Sequence, residues 1–116
     1  MNDKGKDNLV YVRHILDAIS AIQSYTEGMN FRKFKEDPKT IDAVVRQFEI
    51  IGEASSKIPP QIRARYASVP WKSIIGLRNI LIHDYMGIDI KRVWQVIKKE
   101  LHPLKNERSS ILDIDT

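Results

Sequence analysis

Apolar residues recur every three or four positions along most of the chain, a spacing that predicts amphipathic helices. The first stripe predicts a helix over about residues 8–29 and consists of Leu9, Val12, Leu16, Ile19, Ile22 and Tyr25. Aromatic and basic residues then alternate at 31–36, which indicates a connecting turn or short helix. Because no segment shows the strict alternation of a half-exposed strand, the chain is predicted to be all-α.

The second long helix has clear start and stop signals. Asp37 can accept hydrogen bonds from the free amides of a first turn, and Pro38 suits the first helical position because its missing N–H is not needed there. Gly52 in the interior indicates close approach of a neighbouring helix, and the prolines at 59–60 end the segment. The apolar residues that carry it to about Lys57 are Ile41, Val44, Val45, Phe48, Ile51 and Ala54.

Two more main helices follow a short basic segment at 61–67. Ser68 and Pro70 signal the start of the third, which runs to a break at Gly87, and Asp89 caps the last, expected over about 90–105 with a bend at Pro103. The predicted fold is an up-and-down antiparallel bundle of four main helices with short connecting helices. Residues 1–116 are expected to form a single domain with an ordered core at about 8–105 and a flexible C-terminal tail from Asn106.

Charge is unevenly distributed along the chain. Residues 1–58 hold nine Lys/Arg and nine Asp/Glu, whereas residues 59–116 hold ten against six and supply the whole net charge of +4. This excess favours an anionic partner for the second half, such as RNA, a nucleotide or an acidic protein surface, although basic helix faces are often simply hydrated. The candidates for contacts with the RNA backbone are Lys57, Arg63, Arg65 and Lys72, while Lys91, Arg92, Lys98 and Lys99 are expected on the solvent face of the last helix.

Several classes of protein are disfavoured. The chain has no cysteine, which excludes disulfides and thiolate metal sites and fits a reducing cytoplasm. Neither a secretory segment nor a membrane span can be placed, so a soluble protein is expected. His14 and His102 lack partners at zinc-ligand spacing, and no Gly-rich phosphate loop is present, so neither a metal nor a cofactor is predicted.

Residues 77–85, LRNILIHDY, carry the candidate chemistry. Five positions separate Arg78 from His83, about 140° around an α-helix, so one straight helix cannot direct both side chains at one ligand. Either the helix ends before His83, or a two-fold dimer places two copies of the motif across one cleft. Asn79 and His83, four positions apart, share a face.

This segment matches the HEPN signature of Arg, four residues, His, one residue and Tyr. Residues 44–54, VVRQFEIIGEA, resemble the second-helix consensus of HepT proteins, and with the helix order the resemblance covers about 8–105. The chain thus resembles the HEPN-domain HepT toxins of prokaryotic toxin-antitoxin pairs, of type II/VII-like systems. The resemblance implies a homodimer with its active groove between the subunits, and metal-independent endoribonuclease activity.

The residue types suit that chemistry. A histidine ordinarily titrates near neutrality, so His83 could take a proton from a ribose 2′-hydroxyl or give one to the leaving oxygen. Arg78, with its fixed positive charge, could bind the scissile phosphate and stabilise the charge that grows on its oxygens. Supporting roles fall to Asn79, which could contact phosphate or orient His83, and to Asp84, which could hold an imidazole tautomer.

Tyr85 has two interpretations. As a structural residue it would pack its ring beneath the loop and bond its hydroxyl to backbone. In HepT-like toxins the matching tyrosine accepts AMP from a partner nucleotidyltransferase antitoxin of the MntA type, and the resemblance implies the same here. AMP beside Arg78 and His83 would block RNA by charge and volume.

Two other functions stay open. The chain could be a non-catalytic HEPN module that binds a nucleotide or docks on a nucleotidyltransferase, or the motif could serve only as a dimer seam. Trp71 and Trp94 are expected to be core or dimer anchors in any of these cases.

Overall fold

The computed structural model describes residues 3–76, 89–104 and 107–112, and the regular secondary structure in these ranges is entirely helical. The predicted all-α class is confirmed. The helices are α1 (Asp3–Thr26), α2 (Phe31–Lys35), α3 (Pro38–Ser56), α4 (Pro60–Arg63), α5 (described over 71–76), α6 (Ile90–Val96) and α7 (Arg108–Leu112). Tighter and wider turns extend two of them: a 3₁₀ turn at Ala64–Tyr66 after α4, and a π turn at Ile97–Leu101 followed by a 3₁₀ turn at His102–Leu104 after α6.

The start of α3 is fixed by the predicted cap. Asp37 accepts hydrogen bonds from the Thr40 amide at 3.1 Å and from the Thr40 hydroxyl at 2.9 Å, and Pro38 opens the helix. These bonds, the backbone one foremost, lower the pKa of the Asp37 carboxyl because they favour its charged form. The hydrogen bonds that cap the helix therefore also stabilise the charged form of the Asp37 side chain.

Two other helices begin in the same manner. Asn30 accepts from the amide of Lys33 at 2.9 Å and so caps α2, which resolves the open interpretation of residues 31–36 in favour of a short helix. Asp89 accepts from the amide of Arg92 at 3.1 Å and caps α6, as predicted. Each cap satisfies one of the amides that a helix start leaves without an internal partner.

The centre of the core lies between α1 and α3, which pack against each other. They run antiparallel, because Lys57 at the end of α3 lies over the ring of Tyr11 in the first half of α1, 5.5 Å from its centroid. Full burial of a Val, Leu, Ile or Phe side chain contributes roughly 1.5–3 kcal/mol. The buried apolar residues of the two helices are Val12, Ile15, Leu16, Ala18, Ile19, Ile22, Val44, Phe48, Ile51 and Ala54.

One end of the α1 stripe differs from the prediction. Tyr25 is 41% exposed, whereas its neighbour Thr26 is buried and donates from Oγ1 to the carbonyl of Ile22 at 2.8 Å. Thr26 lies four residues after Ile22, which is closer to a full helical turn than the three residues between Ile22 and Tyr25. Thr26 therefore continues the buried face, and its hydroxyl is satisfied by the bond to its own helix.

The aromatic residues near the start of the last helix pack against α2. The ring of Trp94 lies 5.1 Å from Phe34 and 6.4 Å from Phe31, centroid to centroid, and Lys98 covers it at 4.7 Å. Phe34 is fully buried. Trp94 therefore anchors α2 to α6 within one chain.

The last helix becomes irregular earlier than predicted. Its π turn begins at Ile97, where the amide of His102 bonds to the Ile97 carbonyl, and not at Pro103. Gln23 of α1 donates from Nε2 to the Leu101 carbonyl at 2.7 Å. A side chain from another helix thus donates to a backbone carbonyl at the end of the π turn.

The chain after residue 106 also differs from the prediction. Residues Arg108–Leu112 form α7, in a part of the sequence predicted to fray. Ile111 is only 2% exposed and belongs to the core. Ile111 and the partly buried Leu112 both pack against the core and dock this short helix, even though little periodic pattern precedes them.

Candidate functional site

The predicted reactive segment lies outside the described residues. This holds for Arg78, His83 and Tyr85, and for the supporting residues Asn79 and Asp84. The described chain includes α5, which directly precedes the segment in sequence, and the surfaces on either side of α5. Two cavities occur there.

The first cavity, which we name the Ser55–Arg63 cavity, has a volume of about 330 Å³. It lies where the end of α3, the turn into α4 and one side of α5 meet. Its walls combine two cationic side chains with apolar ones. The described residues that line it are Gly52, Ser55, Ser56, Lys57, Ile58, Pro59, Pro60, Arg63 and Ile75.

Two buried polar atoms of residues that line this cavity lack hydrogen-bond partners among the described residues. One is Oγ of Ser55, a residue that is only 2% exposed, and the other is Nε of the half-buried Arg63. A buried polar group without a partner costs about 1–3 kcal/mol, so such groups are rare in folded proteins. Both atoms belong to residues that line the same cavity, although they come from different helices.

Lys57 also lines the cavity. Its Nζ lies 3.7 Å from Oε1 of Glu53, and both side chains are about half exposed. An exposed pair of this kind contributes between zero and about 1 kcal/mol, so the lysine can exchange this partner for another anion at little cost.

The second cavity, which we name the Lys72–Arg92 cavity, has a volume of about 570 Å³ and lies between α5 and α6. Lys72 and Arg92 are exposed and supply its positive charge. Ile75, itself 38% exposed, lines both cavities. The other lining residues are Ser73, Gly76 and Val96.

The four candidate RNA-binding residues are thus distributed over three places. Lys57 and Arg63 come together in the Ser55–Arg63 cavity, whereas Lys72 lies across α5 in the other cavity. Arg65 is exposed on the 3₁₀ turn that follows α4. Arg92 was expected only on the solvent face of α6; it is exposed as expected and also lines a cavity with Lys72.

The 3₁₀ turn is held in place from α5. Tyr66 is fully buried, and its carbonyl accepts a 3.0 Å hydrogen bond from Nε1 of Trp71. Trp71 is therefore a structural anchor within the chain, one of the two roles predicted for it. The bond fixes the position of the basic turn relative to the first turn of α5.

Ser55 was missed by the sequence reasoning, although a signal existed. It lies four residues after Ile51 and seven after Phe48, which places it on the buried face of α3. A serine on an apolar face either bonds to the preceding turn of its own helix or requires another partner. Within the described chain Oγ of Ser55 has neither.

Two properties of the described residues bear on the class of site. No group of three His, Asp or Glu residues lies close enough together there to hold a metal ion. None of the helices in the same ranges is both long enough and apolar enough to cross a membrane.

The chain has clear relatives. A family model, ribonuclease HepT-like, matches residues 15–111. A Methanocaldococcus jannaschii protein, named as a gamma-glutamylcyclotransferase and provisionally as an RNase, is 39% identical over 108 residues, which are 93% of this chain and 49% of that protein. A provisionally named RNase of Caldanaerobacter subterraneus is 38% identical over 88% of this chain and 91% of its own length.

A third relative, from Thermococcus cleftensis, is provisionally named ribonuclease HepT and is 37% identical over 84% of this chain and 88% of its own length. The chain thus spans about half the length of the first relative and about nine tenths of the other two. No solved structure matches it.

The helical fold and the family match together define an all-α domain of the HEPN type. More specifically, the chain belongs to the HepT-like ribonuclease family.

Proposed function

We propose that this protein is an endoribonuclease toxin that cleaves RNA without a metal ion. The observation that carries the proposal is the Arg78, His83, Tyr85 motif in a chain that belongs to the HepT-like ribonuclease family. Its relatives are provisionally named RNases, which supports the same substrate class for this chain. The cationic cavities on both sides of α5 supply charge suited to a polyanion.

In the proposed reaction His83 moves the proton and Arg78 holds the phosphate. A 2′-hydroxyl attacks the adjacent phosphorus while imidazole takes its proton, the bond to the 5′-oxygen breaks, and a proton is returned to that oxygen. The products are a 2′,3′-cyclic phosphate and a 5′-hydroxyl. Arg78 stabilises the extra negative charge on the phosphate oxygens during the displacement. Asn79 and Asp84 orient these groups.

The direct test uses purified full-length protein with RNA in excess EDTA. Cleavage should persist in EDTA and fall at least about 100-fold in His83→Ala, which loses the general acid or base. His102→Ala is the matched control because His102 is exposed in the 3₁₀ turn after α6. Equal cleavage by the two variants would refute the assignment, and loss of cleavage in EDTA would refute the metal-independent mechanism.

The proposed active groove lies between two subunits of a homodimer, since one straight helix cannot direct Arg78 and His83 at the same phosphate. Mixing inactive Arg78→Ala with inactive His83→Ala should restore part of the activity, because a mixed dimer contains one intact pair across the cleft. Dimers by light scattering without this recovery would place the pair within a single subunit.

A nucleotidyltransferase antitoxin that adds AMP to Tyr85 completes the proposal. Coexpression with such a partner should raise the intact mass by one adenylyl group and abolish RNA cleavage, whereas Tyr85→Phe should escape both effects. A partner that binds without modifying Tyr85, and RNA that survives in every condition, would support a non-catalytic docking module instead.

A further inference from the structure

Two of the residues that line the Ser55–Arg63 cavity carry hydrogen-bond donors that need an acceptor. Nε of Arg63 can only donate, and the hydroxyl of Ser55 can donate once its rotor turns toward the cavity. Neither atom has a partner in the described chain, and both are buried. An occupant that accepts hydrogen bonds would satisfy both once the two side chains turn toward it.

The charged side chains of the cavity indicate that its occupant is an anion. Arg63 and Lys57 line the cavity, and the described lining residues include no carboxylate. The carboxylate of Glu53 lies 3.7 Å from Nζ of Lys57 in a half-exposed pair that an incoming anion can displace. Oxygens of a phosphate accept hydrogen bonds and carry charge, so they match both requirements.

The backbone contributes few competing donors. Pro59 and Pro60 have no N–H, and the amides of Lys57 and Ile58 are already bonded to the carbonyls of Ala54 and Ser55 at 3.1 Å. Recognition therefore rests on side chains. With about 330 Å³ the cavity is at the lower end of the range for small-ligand sites, which suits a phosphate with part of its sugar.

We propose that the Ser55–Arg63 cavity is a subsite for a phosphate of the RNA backbone other than the one that is cleaved. Ser55 and Arg63 donate to its oxygens, Lys57 supplies charge, and the apolar wall of Ile58 and Ile75 faces the adjoining ribose. The proposal rests on RNA as the substrate, but it can be tested without cleavage. A free nucleotide presents the same phosphate chemistry, so the experiment includes one.

The probe is a 2′-O-methyl decauridylate, which binds as RNA does but lacks the hydroxyl needed for cleavage. We expect Ser55→Ala and Arg63→Met each to weaken its binding about tenfold, which corresponds to about 1.4 kcal/mol. Arg63→Lys keeps the charge but has no Nε donor, and should recover only part of the affinity. The matched control, Arg32→Gln, removes one positive charge from an exposed pair with Glu36 and should change binding less than twofold.

Ser55→Ala can also be followed by its melting temperature, for which a purely structural role of the hydroxyl predicts a change of the opposite sign. It removes a buried hydroxyl without a partner and leaves the rest of the helix intact, so the melting temperature of the free protein should rise by about 2 °C or more. Higher stability together with weaker binding is the expected combination. A lower melting temperature with unchanged binding would show that Ser55 only supports the fold and would overturn the proposal.

Two further outcomes would also overturn it. If all variants bind the probe as tightly as the unmodified protein, the cavity holds only water. If AMP binding depends on Ser55 and Arg63 while probe binding does not, the ligand is a free nucleotide and not RNA. If RNA is not cleaved but Ser55→Ala and Arg63→Met weaken probe binding as expected, the proposed function is contradicted while this subsite still stands.

Discussion

Gln23 of α1 and Leu101 in the π turn are joined by a 2.7 Å hydrogen bond although they are 78 residues apart in sequence. The amide group of Gln23 donates to a backbone carbonyl in the irregular part of this helix. The bond ties α1 to the end of the last long helical segment. It is therefore a polar tertiary contact between two distant parts of the chain.

Loss of this bond should lower stability measurably. Gln23→Met keeps a side chain of similar length but cannot donate, so the Leu101 carbonyl is left without its partner, and we expect a loss of about 1 kcal/mol in the free energy of unfolding. Urea denaturation followed by circular dichroism measures it. Gln95→Met, at an exposed position of α6, is the control and should stay within about 0.5 kcal/mol of the unmodified protein.

The cap at Asp37 should give a defined pH dependence. Because hydrogen bonds from Thr40 lower the folded-state pKa of this carboxyl below its ordinary value of 3.8, its charged form stabilises the protein above that value. The contribution is lost as the pH falls through the lower folded-state value. Asp37→Asn should therefore melt below the unmodified protein at pH 7, and the gap should narrow as the pH is taken from 5 toward 2.

Asp42→Asn controls for the loss of one negative charge, since it removes an exposed carboxylate from the same helix. A gap for Asp37→Asn that is constant over the whole pH range would contradict the role of the charged cap. The melting curves of the three proteins over this range decide the matter.

The docking of α7 should depend mainly on Ile111. Ile111 is 2% exposed, and its truncation to alanine should cost about 2–4 kcal/mol because it leaves a cavity in the core. Ser110→Ala alters an exposed neighbour in the same helix and should be close to neutral. Equal stability of the two variants would mean that α7 contributes nothing to the fold.

The Lys72–Arg92 cavity should affect RNA binding by charge alone. Lys72→Gln and Arg92→Gln should each weaken binding of 2′-O-methyl RNA several-fold and reduce the slope of log affinity against log salt by about 0.7, the value for one contact with a single-stranded phosphate. Lys39→Gln, an exposed charge near the start of α3, is the control. Unchanged salt slopes in the two cavity variants would exclude this surface from the RNA path.

Local signals predicted most of the fold. The cap at Asp37 and the break at the two prolines depend on interactions within a few residues, so they could be predicted without knowledge of the tertiary structure. The Gln23 bond and the burial of Ile111 depend on segments far apart in sequence, and no periodic pattern encodes them. Those features required the packed chain.

The site divides in a similar way. Charge alone identified Lys57, Arg63 and Lys72 as candidates, because basic residues are visible in any sequence. The role of Ser55 depends on the absence of a partner for its hydroxyl within the described chain, which only the packing of α3 against α4 and α5 could reveal. A polar residue on an apolar stripe is the pattern to look for in such cases.

The π turn has a consequence for the phase of the last helix. Val93, Ile97 and Leu101 are all buried at intervals of four, and each such step in an α-helix overshoots a full turn by about 40°. The π turn at Ile97–Leu101 has more residues per turn, so the step from Ile97 to Leu101 falls short of a full turn and brings Leu101 back toward the line of Val93. Deleting a single residue there would swing Leu104 and everything beyond it by about 100°. The π turn thus keeps the buried side chains of the last helix in register, and this segment should tolerate substitutions better than insertions or deletions.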